Sequence, residues 1–115
     1  MSDYYDKDVY GFAKDLDAVI PEIAADWERF NHGVFAPEGR EIPLKYRELM
    51  AVAVALNTQC PYCIETHLKR AVRAGATTAE LAETSWVATA LRGGAGYAHG
   101  ALMMRLHEGG QPHGH

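Results

Sequence analysis

Apolar residues recur along this chain at the spacing of helices, not of strands. We find no sustained alternation of apolar and polar positions, and Val and Ile lie in windows rich in Ala, Leu and Glu, which favour helix. The pattern therefore predicts an all-α domain of about six helices. Their approximate spans are residues 5–19, 21–31, 43–57, 61–74, 78–92 and 95–107.

Residues that favour helix ends agree with several of these boundaries. Pro21 and Pro43 suit the first turn of a helix, where a backbone N–H has no partner within the helix. Thr77, followed three residues later by Glu80, predicts a capping box at the start of the fifth helix. The pair Gly93-Gly94 is interpreted as an interruption that separates the fifth helix from the sixth.

One stretch of the third helix is apolar on every side. Each residue from Met50 to Leu56 is apolar, so the second half of this helix has no polar face. A helix of this kind is buried all round. Because a domain of 115 residues offers little room for that, we expect the chain to form a homo-oligomer.

The length of 115 residues fits a single domain. We place a helical domain over residues 1–108 and a flexible tail rich in Gly and His over residues 109–115. Hydrophobic residues make up 48% of the chain and charged residues 23%, which excludes an intrinsically disordered protein.

Charge and hydropathy exclude two classes of partner. The formal net charge of −4 provides no basic face for nucleic acid. The first residues are acidic and polar, unlike a signal peptide, and the longest strongly apolar run, Leu49 to Leu56, is too short to cross a bilayer. We expect a soluble cytoplasmic protein without a membrane partner.

One segment carries most of the chemistry, and it reads Cys60-Pro61-Tyr62-Cys63-Ile64-Glu65-Thr66-His67. Pro61 suits the first position of the fourth helix, which puts Cys60 at the N-cap and Cys63 in the first turn. Thiols at this spacing can close a small disulfide ring. His67 lies four residues after Cys63 and therefore on the same helix face. A thiol with a base in reach is typical of an activated nucleophile.

The same segment leaves open which cysteine is the nucleophile. The start of a helix stabilises a thiolate, which favours Cys60. The neighbouring base favours Cys63, because His67 shares its face. The spacing alone does not decide between the two.

Glu48 is the second candidate for chemistry. It shares a helix face with Val52 and Ala55, an apolar stripe that a carboxylate normally avoids. A carboxyl group in such a place is a candidate proton carrier. The alternative is an ion pair with Lys45, one turn back, or with Arg47 from a neighbouring subunit.

Two other interpretations of the cysteines need no redox chemistry. Unpaired cysteines often pack as small hydrophobic residues without a further role. A zinc-bound or redox-sensing binding module is the other alternative. Cys60, Cys63 and His67 would then be three zinc ligands, and His32 or His99 would complete the site.

The combined pattern resembles a known family. Glu48, then Cys60-x-x-Cys63-x-x-x-His67, then an Ala/Gly turn and a Thr-capped helix look like the carboxymuconolactone decarboxylase superfamily. Within it, the match is to the alkylhydroperoxidase-D-like branch, over about residues 42–104. This resemblance implies a helical fold assembled as trimers or hexamers with active sites near subunit contacts. It also implies thiol-dependent peroxidase or disulfide reductase activity.

The resemblance assigns a role to each candidate residue. Cys63 would attack a hydroperoxide, Cys60 would resolve the product as a disulfide, and Glu48 and His67 would form the proton relay. An external dithiol protein would then reopen the disulfide. The cycle needs no haem, flavin, nicotinamide or metal, because the sulfurs themselves carry the electrons.

One position departs from the family pattern. The best-known hydroperoxidases of this branch have a second histidine just before the second cysteine, where this chain has Tyr62, and a phenol is a poor base at neutral pH. A general disulfide reductase is therefore one alternative. An acid/base enzyme of the lactone decarboxylase type, using Glu48 and His67, is another, although true lactone decarboxylases generally lack the cysteine pair.

Overall fold

The computed structural model describes residues 7–109. These residues form five α-helices and one short 3-10 helix, joined by turns and one longer loop. No strand occurs among them, so the predicted all-α class is confirmed. The 3-10 helix spans Lys7–Phe12. The α-helices are α1 (Ala13–Val19), α2 (Pro21–Val34), α3 (Leu44–Thr58), α4 (Pro61–Arg73) and α5 (Thr78–His107). None of these helices is long and apolar enough to cross a membrane.

Helix α3 is the centre of the fold, because it packs against both α4 and α5. The buried apolar side chains of the described residues lie on these three helices and are mostly small: Leu49, Val52, Ala55, Ala71 and Ala88. Small side chains let helices approach closely. The buried stripe of α3 also contains Glu48, so the fold places a carboxylate inside its own core.

The start of α5 is fixed by the predicted capping box. The Thr77 side chain accepts a hydrogen bond from the backbone N–H of Glu80 at 3.1 Å, and Glu80 accepts one from the backbone N–H of Thr77 at 2.9 Å. Glu80 also pairs with Lys45 of α3 at 2.9 Å. These bonds, led by that from Thr77, hold the pKa of Glu80 below its usual value. The cap therefore ties the first turns of α3 and α5 together.

The predicted interruption at Gly93-Gly94 is wrong, because α5 runs through both glycines for 30 residues. Glycine lowers helix stability by only about 1 kcal/mol relative to alanine and keeps its N–H, so it does not break the hydrogen-bond ladder as proline does. A Cβ atom at either position would meet nothing within 4 Å. Neither glycine is therefore needed for a close contact with another of the described residues.

The first predicted helix, over residues 5–19, agrees with the structure only in part. Its residues 5 and 6 lie outside the described residues, the stretch Lys7–Phe12 is a 3-10 helix, and the α-helix begins only at Ala13. Gly11, a poor helix former, precedes this change. The tail predicted over residues 109–115 lies outside the described residues except for Gly109.

Many apolar side chains that lie on one face of a helix are exposed in the single chain. Leu16 of α1 is 76% exposed and Trp27 of α2 is 66% exposed, although both lie at helical spacing with other apolar residues. Val54, within the stretch of α3 that is apolar all round, is 61% exposed. The radius of gyration is 19.3 Å, against about 13 Å for a compact domain of this length. A single chain therefore buries only part of its apolar faces.

Candidate active site

The turn between α3 and α4 sets the position of the cysteines. Gln59 ends α3 in the left-handed region, with φ 59°, and the backbone N–H of Cys60 then donates to the carbonyl of Ala55 at 3.1 Å. Cys60 is the N-cap of α4 and Pro61 its first residue, as predicted. The backbone N–H of Cys63 donates to the Cys60 sulfur at 3.3 Å. Both cysteines are free thiols, with Cys60 half-buried and Cys63 exposed.

The two thiols differ in acidity. The pKa of Cys60 is lowered because the side chain of Cys63, and then its backbone N–H, donate hydrogen bonds to the Cys60 sulfur. The pKa of Cys63 is raised because its thiol donates to Cys60, because it is partly desolvated, and because the charge on Cys60 lies close. Cys60 is therefore the more acidic thiol of the pair, and its place at the start of a helix acts in the same direction.

A second pair joins α3 to α4. His67 Nδ1 lies 2.6 Å from Oε1 of Glu48, whose relative exposure is 2%. An ionised carboxylate only accepts hydrogen bonds, so Nδ1 is the donor when Glu48 is ionised, and Nε2 is the ring nitrogen that Glu48 does not bind. Glu48 is buried on the apolar stripe of α3 that it shares with Val52 and Ala55. Its alternative partner Lys45 is bound to Glu80 instead.

Arg47 holds the loop that follows α2. Its guanidinium donates to the carbonyls of Val34 at 2.7 Å, Ala36 at 2.6 Å and Ile42 at 2.9 Å. Two of these carbonyls flank Phe35, so the clamp fixes the backbone on both sides of that ring. The alternative role for Arg47, as a partner of Glu48 in a neighbouring subunit, is thus opposed by these contacts within its own chain.

Phe35 in turn contacts the histidine. Its ring centroid lies 4.9 Å from that of His67, with the planes tilted by 35°. The aromatic ring and the carboxylate of Glu48 therefore restrict the imidazole together. The sequence analysis did not single out Phe35, and its only signal is an aromatic residue at the end of a helix before a loop.

These groups meet in one cavity of about 940 Å³, bounded by α1, α2, the following loop, α3 and α4. Cys63, His67 and Glu48 line it together with Phe35. Cys60 is not part of this lining. A ligand in the cavity would therefore contact Cys63, although Cys60 is the more acidic thiol.

A model of the carboxymuconolactone decarboxylase family matches residues 21–105. The chain belongs to this family. The resemblance drawn from residues 42–104 is thereby confirmed at the level of the family, and the match extends it back to the start of α2. All four predicted site residues lie inside the matched segment, as do Phe35 and Arg47.

Other members resemble the chain in sequence or in structure. A protein of Paracoccus denitrificans named uncharacterized protein 4 in the cox locus is 57% identical over 53 residues, which are 46% of this chain and 48% of that protein. The chain thus spans about half the length of this curated relative. A carboxymuconolactone decarboxylase family protein from Legionella pneumophila, solved in its apo form, is 28% identical with a TM-score of 0.67 over 74% of each chain. A protein from Methanobacterium thermoautotrophicum has the same identity and TM-score over 75% of this chain and 97% of its own.

The zinc hypothesis finds no donor set in the described part of this family member. Between residues 7 and 109, no three His, Cys, Asp or Glu side chains are grouped so as to hold a metal ion. His32 lines the cavity, but its ring nitrogen lies 3.9 Å from Glu28 on its own helix. His67 is bound to Glu48. Cys60, Cys63 and His67 are therefore not grouped as three zinc ligands in the described residues.

Proposed function

We propose that this family member is a thiol-dependent oxidoreductase of the alkylhydroperoxidase-D-like branch, which reduces hydroperoxides through Cys60 and Cys63. One observation carries the proposal. Cys63 lines the same cavity as the bonded pair of His67 and Glu48, while a second, more acidic thiol lies within hydrogen-bond distance. Nucleophile, base and resolving thiol are thus all supplied by α4 and its N-cap, and α3 supplies Glu48.

The first step is deprotonation and attack by Cys63. Because its neighbour Cys60 raises the pKa of Cys63, this thiol needs a base, and the free Nε2 of His67 takes the proton while Glu48 stabilises the imidazolium. The thiolate attacks the terminal oxygen of the hydroperoxide, forming an S–O bond and breaking the O–O bond. The alkoxide leaves as an alcohol with the proton from His67. Cys63 is oxidised to a sulfenic acid as the peroxide is reduced.

The second step uses the acidity of Cys60. Its thiolate attacks the Cys63 sulfur, so an S–S bond forms, the S–O bond breaks, and hydroxide leaves as water after protonation. An external dithiol protein then attacks the exposed Cys63 sulfur, and Cys60 leaves as a thiolate. A leaving thiol of low pKa departs faster, which suits the lowered pKa of Cys60. The second thiol of the reductant resolves the mixed disulfide.

The proposal includes an assembly and a compartment. We propose a homotrimer or homohexamer, because α1, α2 and α3 each expose apolar side chains that a second copy of the chain would cover. We also place the protein in the cytoplasm, where dithiol proteins keep thiols reduced.

A disulfide reductase without efficient peroxidase activity is the second candidate. Tyr62 stands where the best-known hydroperoxidases have a histidine, and the more acidic thiol lies outside the cavity lining. Both observations favour exchange between disulfides over attack on a peroxide. An acid/base reaction of the decarboxylase type would use the same His67 and Glu48 without the sulfurs.

One experiment separates these candidates. The reduced protein receives one equivalent of cumene hydroperoxide, and free thiols are counted by mass spectrometry. The peroxidase proposal expects loss of both thiols in the wild type and a dimedone-trapped sulfenic acid on Cys63 in Cys60→Ser. Equal peroxide consumption by wild type and Cys63→Ser would overturn it. Reduction of a model disulfide without peroxide consumption would indicate the reductase, and turnover of a carbon acid by the double cysteine variant would indicate the decarboxylase type.

A further inference from the structure

Two arginines line the cavity beyond the proposed reaction centre. Arg70 and Arg73 lie in the last turns of α4 and belong to the same cavity wall as Cys63 and His67. Within the described residues, neither guanidinium has a hydrogen-bond or ion-pair partner. Two cations that line one cavity and have no partner among the described residues indicate a site for an anionic group.

Most of the other arginines in the described residues have a hydrogen-bond partner. Four of the remaining five donate to an acceptor of the chain: Arg29 to Asp26, Arg40 to Gly33, Arg47 to the loop carbonyls, and Arg92 to the carbonyl of Asn57. Cationic side chains near a helix C-terminus also interact favourably with the helix dipole, which explains basic residues at the end of α4. That effect does not require them to line a cavity.

Helix geometry sets the distance between Cys63 and Arg70 along α4. Cys63, His67 and Arg70 are spaced i, i+4 and i+7, so they share one face of α4. Seven residues span about 10 Å along a helix axis. A ligand that presents a peroxide to Cys63 can therefore place an anionic group at Arg70, about 10 Å along the helix.

The remaining lining indicates what joins these two ends. Trp27, Phe35 and Leu44 give the cavity an apolar part. The carboxylates Asp17 and Glu28 also line it, but they belong to α1 and α2, whereas both arginines belong to α4. The cavity thus combines apolar side chains, two arginines of one helix and a thiol.

We infer that the substrates are hydroperoxides of amphipathic carboxylic acids of the fatty-acid type, with the carboxylate bound by Arg70 and Arg73 and the peroxide at Cys63. Guanidinium and carboxylate pair through two parallel hydrogen bonds, which orients the ligand as well as holding it. This inference rests on the proposed peroxidase activity for its chemistry and on the two arginines for its specificity.

The kinetic test compares linoleic acid hydroperoxide with its methyl ester, which differ in the charge at one end. For the wild type, we expect a KM at least about tenfold lower for the acid. The double variant Arg70→Gln/Arg73→Gln loses this difference with kcat little changed, while its KM for the ester stays the same. The matched control is Lys69→Gln, which removes an exposed cation of the same helix that is paired with Glu65, and it keeps the wild-type ratio.

A binding test distinguishes failure of this inference from failure of the proposed function. The corresponding hydroxy acid and its ester, which cannot react, are titrated into Cys63→Ser by calorimetry. Binding of the acid but not the ester, lost with the two arginines, supports the carboxylate site even if no peroxide is turned over. Reduction of acid and ester with equal KM overturns the inference and leaves the peroxidase standing. Absence of both binding and turnover overturns both.

Discussion

Nδ1 of His67 lies 2.6 Å from Oε1 of Glu48, and this contact joins the wall of the cavity to the core of the fold. Glu48 belongs to the buried stripe of α3, whereas His67 belongs to the cavity face of α4. The carboxylate is thus excluded from water, while the imidazole borders the cavity. Any loss of packing between α3 and α4 would disturb this contact.

The charge of Glu48 can be removed with little change of shape. We expect Glu48→Gln to lower peroxide turnover by about 10²-fold, because the imidazolium formed when Cys63 loses its proton is no longer stabilised. Stopped-flow measurement of sulfenic acid formation checks this step directly. His32→Gln, which alters an exposed histidine of the same cavity, is the control and should leave the rate within about twofold. Equal rates for wild type and Glu48→Gln would exclude the relay.

The acidities of the two cysteines are coupled, and the sign of each change can be predicted. In Cys60→Ser, the pKa of Cys63 should fall, because the charge on Cys60 is lost and the hydrogen bond that Cys63 donates to it is weakened. In Cys63→Ala, the pKa of Cys60 should rise, because it loses the hydrogen bond that lowers it most. Iodoacetamide alkylation rates, measured against pH for each single-cysteine variant and for the wild type, give these values. Unchanged values would show that the thiols titrate independently, and shifts in the opposite directions would contradict the hydrogen bond from Cys63 to Cys60.

Arg47 is expected to act on the histidine through Phe35. Arg47→Lys keeps the charge but loses the planar set of donors that binds three carbonyls, so the free energy of unfolding should fall by about 1–2 kcal/mol. The NMR signals of the His67 ring should shift as well, because the ring of Phe35 is no longer held beside it. Urea unfolding and the ring signals are measured together. Arg40→Lys, whose guanidinium binds only Gly33 and Gly39, should change the unfolding energy less and leave the ring signals in place.

The exposed apolar faces predict the state of assembly. Light scattering of the wild type should give three or six times the chain mass of 12.6 kDa at micromolar concentration. Val54→Glu places a charge on the exposed side of α3 and should lower this mass, because burial of an unpaired carboxylate between subunits is costly. Glu38→Lys, in the exposed loop after α2, should leave it unchanged. A wild-type monomer would contradict the proposed trimer or hexamer.

Local periodicity accounts for the parts of the site that the sequence analysis predicts. Cys60 at the N-cap, Cys63 and His67 on one face, and Glu48 on a buried stripe all follow from spacing within a helix. Such spacing needs no knowledge of how the helices pack. It also covers the capping box of Thr77 and the all-α class.

Contacts between distant segments account for what the sequence analysis missed. The pairing of Phe35 with His67 joins positions 32 residues apart, and the Arg47 clamp depends on where an irregular loop folds back. Neither follows from a periodic pattern. The continuity of α5 was missed for another reason, because two glycines weaken a helix without being able to end it. The spacing also does not show which cysteine is the more acidic, because this depends on which thiol donates the hydrogen bond between them.

Gln59 adopts a backbone conformation that side chains with a Cβ atom seldom accept, and it does so immediately before the first cysteine. The direction in which α4 leaves α3 is set there, and with it the angle at which the cap sulfur faces the next turn. The geometry of the two thiols therefore depends on an exposed amide residue that is neither of the cysteines. Evolution or engineering could change the spacing of the thiols at Gln59 while leaving both cysteines in place.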